Sequence, residues 1–165
     1  MSKLLDVENL RVTFPTRRGE FEAVRGVSFS LGQERLGIVG ESGSGKSMTG
    51  RALLRLIRPP GRVEADRMAL DGVELLGLSE KEMRRVRGRK ISMVMQDPKY
   101  SLNPVMKVGD QIVEIYRYHT GASLKVARAK AVEMLDAVAI RDPERVMHAY
   151  PHEMSGGMGQ RIMIA

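Results

Sequence analysis

The chain has 165 residues and a net charge of +7, with 42% hydrophobic, 28% charged and 4% aromatic residues, which predicts one globular domain with an aliphatic and methionine core. The absence of cysteine excludes disulfides, thiolate nucleophiles and cysteine metal sites. No run approaches the roughly 18 apolar residues of a membrane span, and the N-terminal stretch lacks a signal-peptide core, so we expect a soluble, cytoplasmic chain.

The first 40 residues predict three strands. Apolar and polar residues alternate over residues 10–14 and again over residues 27–31, which is the period of a strand with one buried face. The stretch PTRRGE between them predicts the turn of an antiparallel pair. Residues 36–39 form an apolar run typical of a buried parallel strand, and this run leads directly into a glycine-rich loop.

A helix, a hairpin and a second helix are predicted after the loop. Apolar residues recur at helical spacing from Met48 to Ile57, and the helix must end before Pro59. Residues 68–74 predict a small hairpin with Asp71-Gly72 at its turn. Ser79 and Glu82 then form a capping box that opens a basic helix.

The densest basic cluster, RRVRGRK, follows at residues 84–90. Net charge alone is compatible with nucleic acid, anionic lipid or a phosphorylated ligand. The cluster has no interleaved aromatic residues for stacking on bases, so we interpret it as a solvated helix end and turn. Residues 91–95 predict a second buried strand.

The remaining pattern is helical. Residues 110–119 predict one helix, and a stripe of apolar residues over 124–138 predicts a longer amphipathic helix. Asp142 and Pro143 are typical of the cap and first position of a short helix. The final stretch, SGGMGQRIMIA, predicts a glycine pair at the start of one more helix.

The stretch GESGSGKS matches the phosphate-binding pattern G-x-x-x-x-G-K-[ST] in full. Its glycines permit backbone angles that let successive N–H groups turn toward phosphate oxygens. The lysine is placed to reach the β- and γ-phosphates, and the last serine to bind Mg²⁺. The predicted nucleotide-binding residues here are Gly40, Glu41, Ser42, Gly43, Ser44, Gly45, Lys46 and Ser47.

Two further features narrow the class. Gln96 follows the predicted strand at 91–95, where its amide oxygen can bind Mg²⁺ or orient an attacking water, although a structural glutamine is the simpler interpretation. Ser155, Gly156 and Gly157 place a hydroxyl and unobstructed N–H groups at a helix N-terminus, which is a candidate second anion site or an ordinary cap. Two phosphate sites in one small domain are explained if two copies face each other.

The ordered motifs GESGSGKS, MQDPKYSLNP and HEMSGGMGQR resemble the nucleotide-binding domain of ATP-binding cassette (ABC) transporters. In detail they resemble the ATPase subunits of the importer group for oligopeptides, dipeptides and, in some members, nickel. The resemblance implies an α/β P-loop NTPase fold with an N-terminal antiparallel β part, a parallel core sheet and a helical subdomain that ends at the signature motif. It also implies an incomplete domain, with an ATP-binding core over about residues 1–95, the Q-loop and helical subdomain over 96–157, and the start of the signature helix over 158–165.

The same resemblance implies roles for the site residues. The loop matches the Walker A segment, Gln96 matches the Q-loop glutamine that positions water or Mg²⁺, and Ser155 to Gly157 match the signature that contacts ATP across a dimer. Phe14 lies where the family places an aromatic ring against adenine, although it also fits the buried face of its strand. The segment 97–104 corresponds to the surface that meets the membrane subunits.

The implied partners are transmembrane permease subunits and a second ATPase subunit, in a homodimer or heterodimer, at the cytoplasmic face of the inner membrane. No direct nucleic-acid partner is expected. The family also needs a Walker B aspartate, a catalytic glutamate and a switch histidine, and none is found in these residues, so we expect nucleotide binding without efficient hydrolysis. Two alternatives remain at this point: a small P-loop kinase with Asp71 as its acid, and an ABC ATPase of DNA repair or translation.

Overall fold

The computed structural model describes residues 3–95 and 101–165 of the chain. The chain divides into two compact units, Met1–Met93 and Val94–Ala165. The first unit combines a β-sheet with two short helices, and the second unit is helical.

The sheet of the first unit is entirely antiparallel. Its strands are β1 (Leu5–Thr16), β2 (Gly19–Leu31), β3 (Arg62–Glu64), β4 (Arg67–Leu70) and β5 (Val73–Glu74). The strand order is β2-β1-β4-β5, and β3 also pairs with β1. Strand β1 is therefore the centre of the sheet, and the predicted pairing of the first two strands across a tight turn is confirmed.

A bulge keeps the apolar residues of β1 on the core face. Val7 and Leu10 are both buried although they are three residues apart, which strict alternation would place on opposite faces. The register shifts between these two residues, and Asn9 has a φ of 51°. The extra residue restores the phase, so Val12 is buried again.

The predicted hairpin and capping box of the first unit are both confirmed. Strands β4 and β5 are joined by Asp71 and Gly72, whose φ values of 52° and 78° are those of a type I′ turn. Helix α1 spans Lys46–Leu53 and helix α2 spans Glu80–Val86. At the start of α2, the Ser79 hydroxyl accepts from the Glu82 N–H and the Glu82 carboxylate accepts from the Ser79 N–H.

Two predicted strands are not formed. Residues 36–39 adopt no regular structure, and Leu36, Ile38 and Val39 are exposed, Val39 to 93%. Residues 91–95 form only an isolated bridge from Ile91 to Arg87. A buried parallel strand needs neighbouring strands for its backbone groups. No strand in the described part of the chain pairs with either segment, so the predicted parallel core sheet is not formed by these residues.

Helix α1 is shorter than the sequence pattern predicts. It ends at Leu53, whereas the apolar spacing continues to Ile57. Arg55 adopts the left-handed conformation, with a φ of 52°. Its N–H donates to the Ala52 carbonyl and the Leu56 N–H donates to the Arg51 carbonyl, which is the pair of bonds that defines a Schellman ending.

The second unit contains the predicted helices. They are α3 (Val108–Thr120), α4 (Leu124–Ala137), α5 (Pro143–Met147) and α6 (Gly156–Ile164), with a short 3-10 turn at Pro151–Glu153. The Asp142 side chain accepts from the Arg145 N–H, which confirms the predicted cap of α5. The core is formed by the facing apolar sides of these helices, among them Ile112, Leu135 and Ile162. None of the helices in the described ranges is long and apolar enough to cross a membrane.

Candidate functional site: a phosphate-binding loop

Gly45 places the start of helix α1 against strand β2. Its φ of 92° lies in the region that favours glycine, and it is the residue that caps the helix. A Cβ at this position would lie 2.5 Å from the carbonyl oxygen of Ala23 in β2. Only glycine therefore fits where the loop passes the sheet.

The ammonium group of Lys46 folds back over the loop. It donates hydrogen bonds to the carbonyl oxygens of Gly40 at 2.6 Å and Glu41 at 2.7 Å, and to the Ser44 hydroxyl at 3.3 Å. These acceptors hold the ammonium group against the loop. A phosphate oxygen is a stronger, charged acceptor than a carbonyl, so an ammonium group in this place favours a bound anion.

The loop is open to a ligand. Residues 40–44 are exposed, and so is Ser47 at the start of α1. The backbone conformation of Gly43, with a φ of 84°, also favours glycine. The first N–H groups of a helix have no carbonyl partner within that helix, so α1 presents donors and the positive end of its dipole to the loop. This arrangement suits a multiply charged anion such as a di- or triphosphate.

A magnesium ion fits this site only together with a nucleotide. In the part of the chain that the structure describes, no group of three or more histidine or acidic side chains could hold a metal ion. Ser47 offers one exposed hydroxyl oxygen. Mg²⁺ is commonly bound by one or two protein ligands, several waters and substrate phosphates, which matches this donor set.

Phe14 packs in the core of the first unit and is only half-buried. It pairs across the sheet with Phe21, and a Cβ at Gly61 would lie 2.6 Å from its ring. These contacts pack Phe14 against the hydrophobic core of the first unit. Its predicted contact with adenine stays a prediction.

The second predicted anion site lies in the other unit. Ser155 caps α6, and its hydroxyl accepts from the Met158 N–H at 3.4 Å. Gly156 and Gly157 are exposed in the first turn of α6. Ser155 and Gly156 line an open cavity of about 430 Å³ whose other walls include Leu102, Pro104 and Met154. The N–H groups of this helix start are therefore accessible to a ligand or partner.

Gln96, together with residues 97–100, lies outside the described residues. The loop that follows them is held by a glutamine that sequence reasoning missed. Gln111 of α3 accepts from the Asn103 N–H at 2.8 Å and donates to the carbonyls of Asn103 and Met106, each at 3.0 Å. Beside this clamp, Val105 is 80% exposed. The sequence pattern at residues 110–119 predicts the helix that carries Gln111, but it does not predict the hydrogen bonds of this side chain to Asn103 and Met106.

In the first unit, the structure changes the interpretation of Asp71 and of the basic cluster at residues 84–90. Asp71, the acid of the kinase alternative, lies in the hairpin turn and pairs with Lys90 at 3.0 Å. The basic cluster is solvated at Arg84 and Lys90, whose side chains are 67% and 58% exposed. Arg87 departs from the interpretation as a solvated cluster, because its side chain is only 21% exposed and donates to two backbone carbonyls.

Comparisons with known proteins match the chain to one protein family. The sequence profile of the family described as ABC transporter matches residues 24–165. The oligopeptide transport ATP-binding protein OppD of Bacillus subtilis (strain 168) is 49% identical over 167 residues, which is 100% of this chain and 47% of that protein. The dipeptide transport ATP-binding protein DppD of Escherichia coli (strain K12) is 45% identical over 98% of this chain and 50% of its own length. The chain thus spans about half the length of these relatives.

The fold of the chain resembles that of a solved ABC transporter cassette. MJ0796, a bacterial ABC transporter cassette, has a dimeric structure that matches with a TM-score of 0.75 at 22% identity, over 97% of this chain and 67% of that one. MJ0796 is also known as a dimer in a post-hydrolysis state bound to ADP and Pi, with the same TM-score of 0.75. The predicted fold class is confirmed by this match, apart from the two strands that do not form. From the profile match and the two relatives, the chain belongs to the ABC transporter family.

Proposed function

We propose that the chain is the ATP-binding part of an ABC importer subunit for peptides or similar small solutes. The observation that carries this proposal is the position of the Lys46 ammonium group, which is held by the carbonyls of Gly40 and Glu41 in an exposed glycine loop. Similarity to OppD and DppD, whose names describe oligopeptide and dipeptide transport, supports the solute class.

Each site residue has a proposed role. Lys46 and the N–H groups at the start of α1 bind the β- and γ-phosphates, and Ser47 binds Mg²⁺, which in turn neutralises phosphate charge. Phe14 contacts adenine. Gln96 completes the magnesium shell or orients water, and Ser155, Gly156 and Gly157 contact the nucleotide held by a second ATPase subunit.

We further propose that these residues bind ATP without hydrolysing it efficiently. Hydrolysis requires a group that positions or activates the attacking water. The acid that follows an apolar strand in the first unit is Asp71, and its pairing with Lys90 in a hairpin turn supports a structural role instead. The kinase alternative loses its candidate acid for the same reason.

The proposed partners are permease subunits, at the cytoplasmic face of the inner membrane, and a second ATPase subunit. The dimeric structures of MJ0796 support the proposed pairing of two cassettes. The segment 97–104 is the proposed contact with the permease, and in its described part, residues 101–104, Gln111 holds the backbone of Asn103.

A chimera tests the proposed function directly. Residues 1–165 replace the matching part of Bacillus subtilis OppD, and oligopeptide uptake is measured in cells that lack their own OppD. We expect uptake with the chimera and none with its Lys46→Ala variant, because loss of the ammonium group removes the phosphate contact. Lys81→Ala, which removes an exposed lysine of α2, is the matched control and should transport normally. A chimera that accumulates normally and binds ATP but supports no uptake would contradict the proposal.

A further inference from the structure

The end of helix α1 that is remote from the phosphate loop is bound by two arginines. Arg55, just after the helix, donates to the carbonyls of Leu75 and Leu78. Arg87, at the end of α2, donates to the carbonyls of Leu54 and Arg55. We call Arg55 and Arg87, with these four carbonyls, the arginine lock.

Arg55 occupies a backbone position where glycine is usual. Its φ of 52° lies in the left-handed region, and it follows the helix as the turning residue of the Schellman ending. A residue with a Cβ is strained there by about 1 kcal/mol or more. The hydrogen bonds from the Arg55 side chain to the carbonyls of Leu75 and Leu78 offset this strain. Arginine therefore suits this turn, because its side chain also attaches the end of α1 to the segment before α2.

Arg87 makes the contacts that fix the helix end. Its Nε donates to the Leu54 carbonyl at 2.6 Å, its Nη2 to the Arg55 carbonyl at 3.2 Å, and its Nη1 to the Glu80 carboxylate at 2.7 Å. The planar guanidinium presents these donors in a rigid fork, which a lysine cannot reproduce. The positive charge of Arg87 beside the last carbonyls of α1 also interacts favourably with the negative end of the helix dipole. The hydrogen bond from Arg87 lowers the pKa of Glu80, so the carboxylate stays charged and holds the fork.

The same rigid helix begins at the phosphate loop. Helix α1 has eight residues, a length of about 12 Å at the usual rise per residue. Thr49, in the middle of the helix, and Ala52 and Leu53, in its last turn, are buried. One end is Gly45 against β2, and the other is the arginine lock.

We infer that Arg87 is a positioning residue for the phosphate loop. By holding the carbonyls of Leu54 and Arg55, it sets the tilt of α1 and therefore the direction of the Lys46 side chain and of the N–H groups at the helix start. The inference rests on the proposed binding of a nucleotide at this loop. It assigns part of the affinity for phosphate to a residue remote from the loop along the helix.

The test compares Arg87→Ala, Arg87→Lys and Arg84→Ala. Arg84 lies on the same helix with its side chain 67% exposed and 3.8 Å from Glu80, so its removal changes the net charge equally without touching α1. Dissociation constants for ATP and for pyrophosphate are measured by calorimetry at a temperature where circular dichroism shows every variant folded. An arginine that only stabilises the fold would change the melting temperature but not these constants.

We expect both Arg87 variants to bind ATP and pyrophosphate about tenfold more weakly, and Arg84→Ala to bind as the unchanged chain does. Arg87→Lys keeps the charge and is the variant to rely on if Arg87→Ala fails to fold. Unchanged constants for a folded Arg87 variant, or an equal loss in Arg84→Ala, would overturn the inference while leaving the proposed function intact. An unchanged chain whose ATP binding does not depend on Lys46 would instead overturn the proposed function, and the inference with it.

Discussion

At the scale of single residues, the geometry of the phosphate loop depends most directly on Gly45. An alanine there would combine an unfavourable φ of 92° with a Cβ 2.5 Å from the Ala23 carbonyl oxygen. We expect Gly45→Ala to lower the free energy of unfolding by about 2–3 kcal/mol and to weaken ATP binding, because β2 and the loop must separate. Thermal unfolding and an ATP titration check both effects.

Gly43→Ala is the matched control for this substitution. Its φ of 84° is equally unfavourable, but a Cβ at Gly43 would meet nothing within 4 Å. Its cost should be the backbone strain alone, about 1 kcal/mol. Equal destabilisation by the two substitutions would show that the contact with β2 is unimportant.

The sequence predicts a place in the phosphate loop for Gly45 and Lys46, but it does not predict the contacts of Arg87. The roles expected of Gly45 and Lys46 follow from the local spacing of the loop, and their part in phosphate binding stays a prediction. Arg87 acts on carbonyls 32 and 33 positions earlier in the chain. Every residue provides a carbonyl, so no pattern of residue types marks these partners.

At the scale of elements, the capping box makes the stability of α2 depend on pH. Hydrogen bonds from the Ser79 hydroxyl and N–H lower the pKa of Glu82. Because the folded pKa lies below the unfolded value of about 4.3, the stabilisation is present above that value and is lost as the pH falls through the folded pKa. The amide protons of α2 should therefore lose protection against hydrogen exchange as the pH falls from neutral to acid. This loss should be smaller in Glu82→Gln than in the unchanged chain.

Glu64→Gln is the control for this prediction, because Glu64 is an exposed residue of β3 outside the box. Its pH profile for α2 should match that of the unchanged chain. A Glu82→Gln profile that runs parallel to the unchanged one would show that the box does not contribute to the acid dependence.

Elements stabilised by local signals could be predicted, and those that need distant partners could not. The hairpin of β4 and β5 follows from Asp71-Gly72, and helix α4 follows from its own apolar stripe. Residues 36–39 have the composition of a buried strand, but composition cannot supply the neighbouring strands that such a strand requires. The early end of α1 depends on the backbone conformation of Arg55, which residue type does not indicate.

At the scale of the whole molecule, the two predicted anion-binding motifs belong to different compact units. Lys46 lies in Met1–Met93, and Ser155 lies in Val94–Ala165. The division follows Met93, just before the described residues are interrupted at Gln96. The residues of the two motifs predicted both anion sites before the family resemblance gave them roles, whereas composition predicted a single domain.

Equilibrium dialysis of the 165-residue chain against labelled ATP and Mg²⁺, followed by separation of the bound ATP and ADP, tests whether these residues bind ATP without hydrolysing it. We expect ATP binding that Lys46→Ala abolishes, and bound nucleotide that remains ATP. Binding that does not depend on Lys46 would contradict the claim that the glycine loop holds the phosphates. Lys46-dependent formation of ADP would contradict the claim that these residues bind ATP without hydrolysing it.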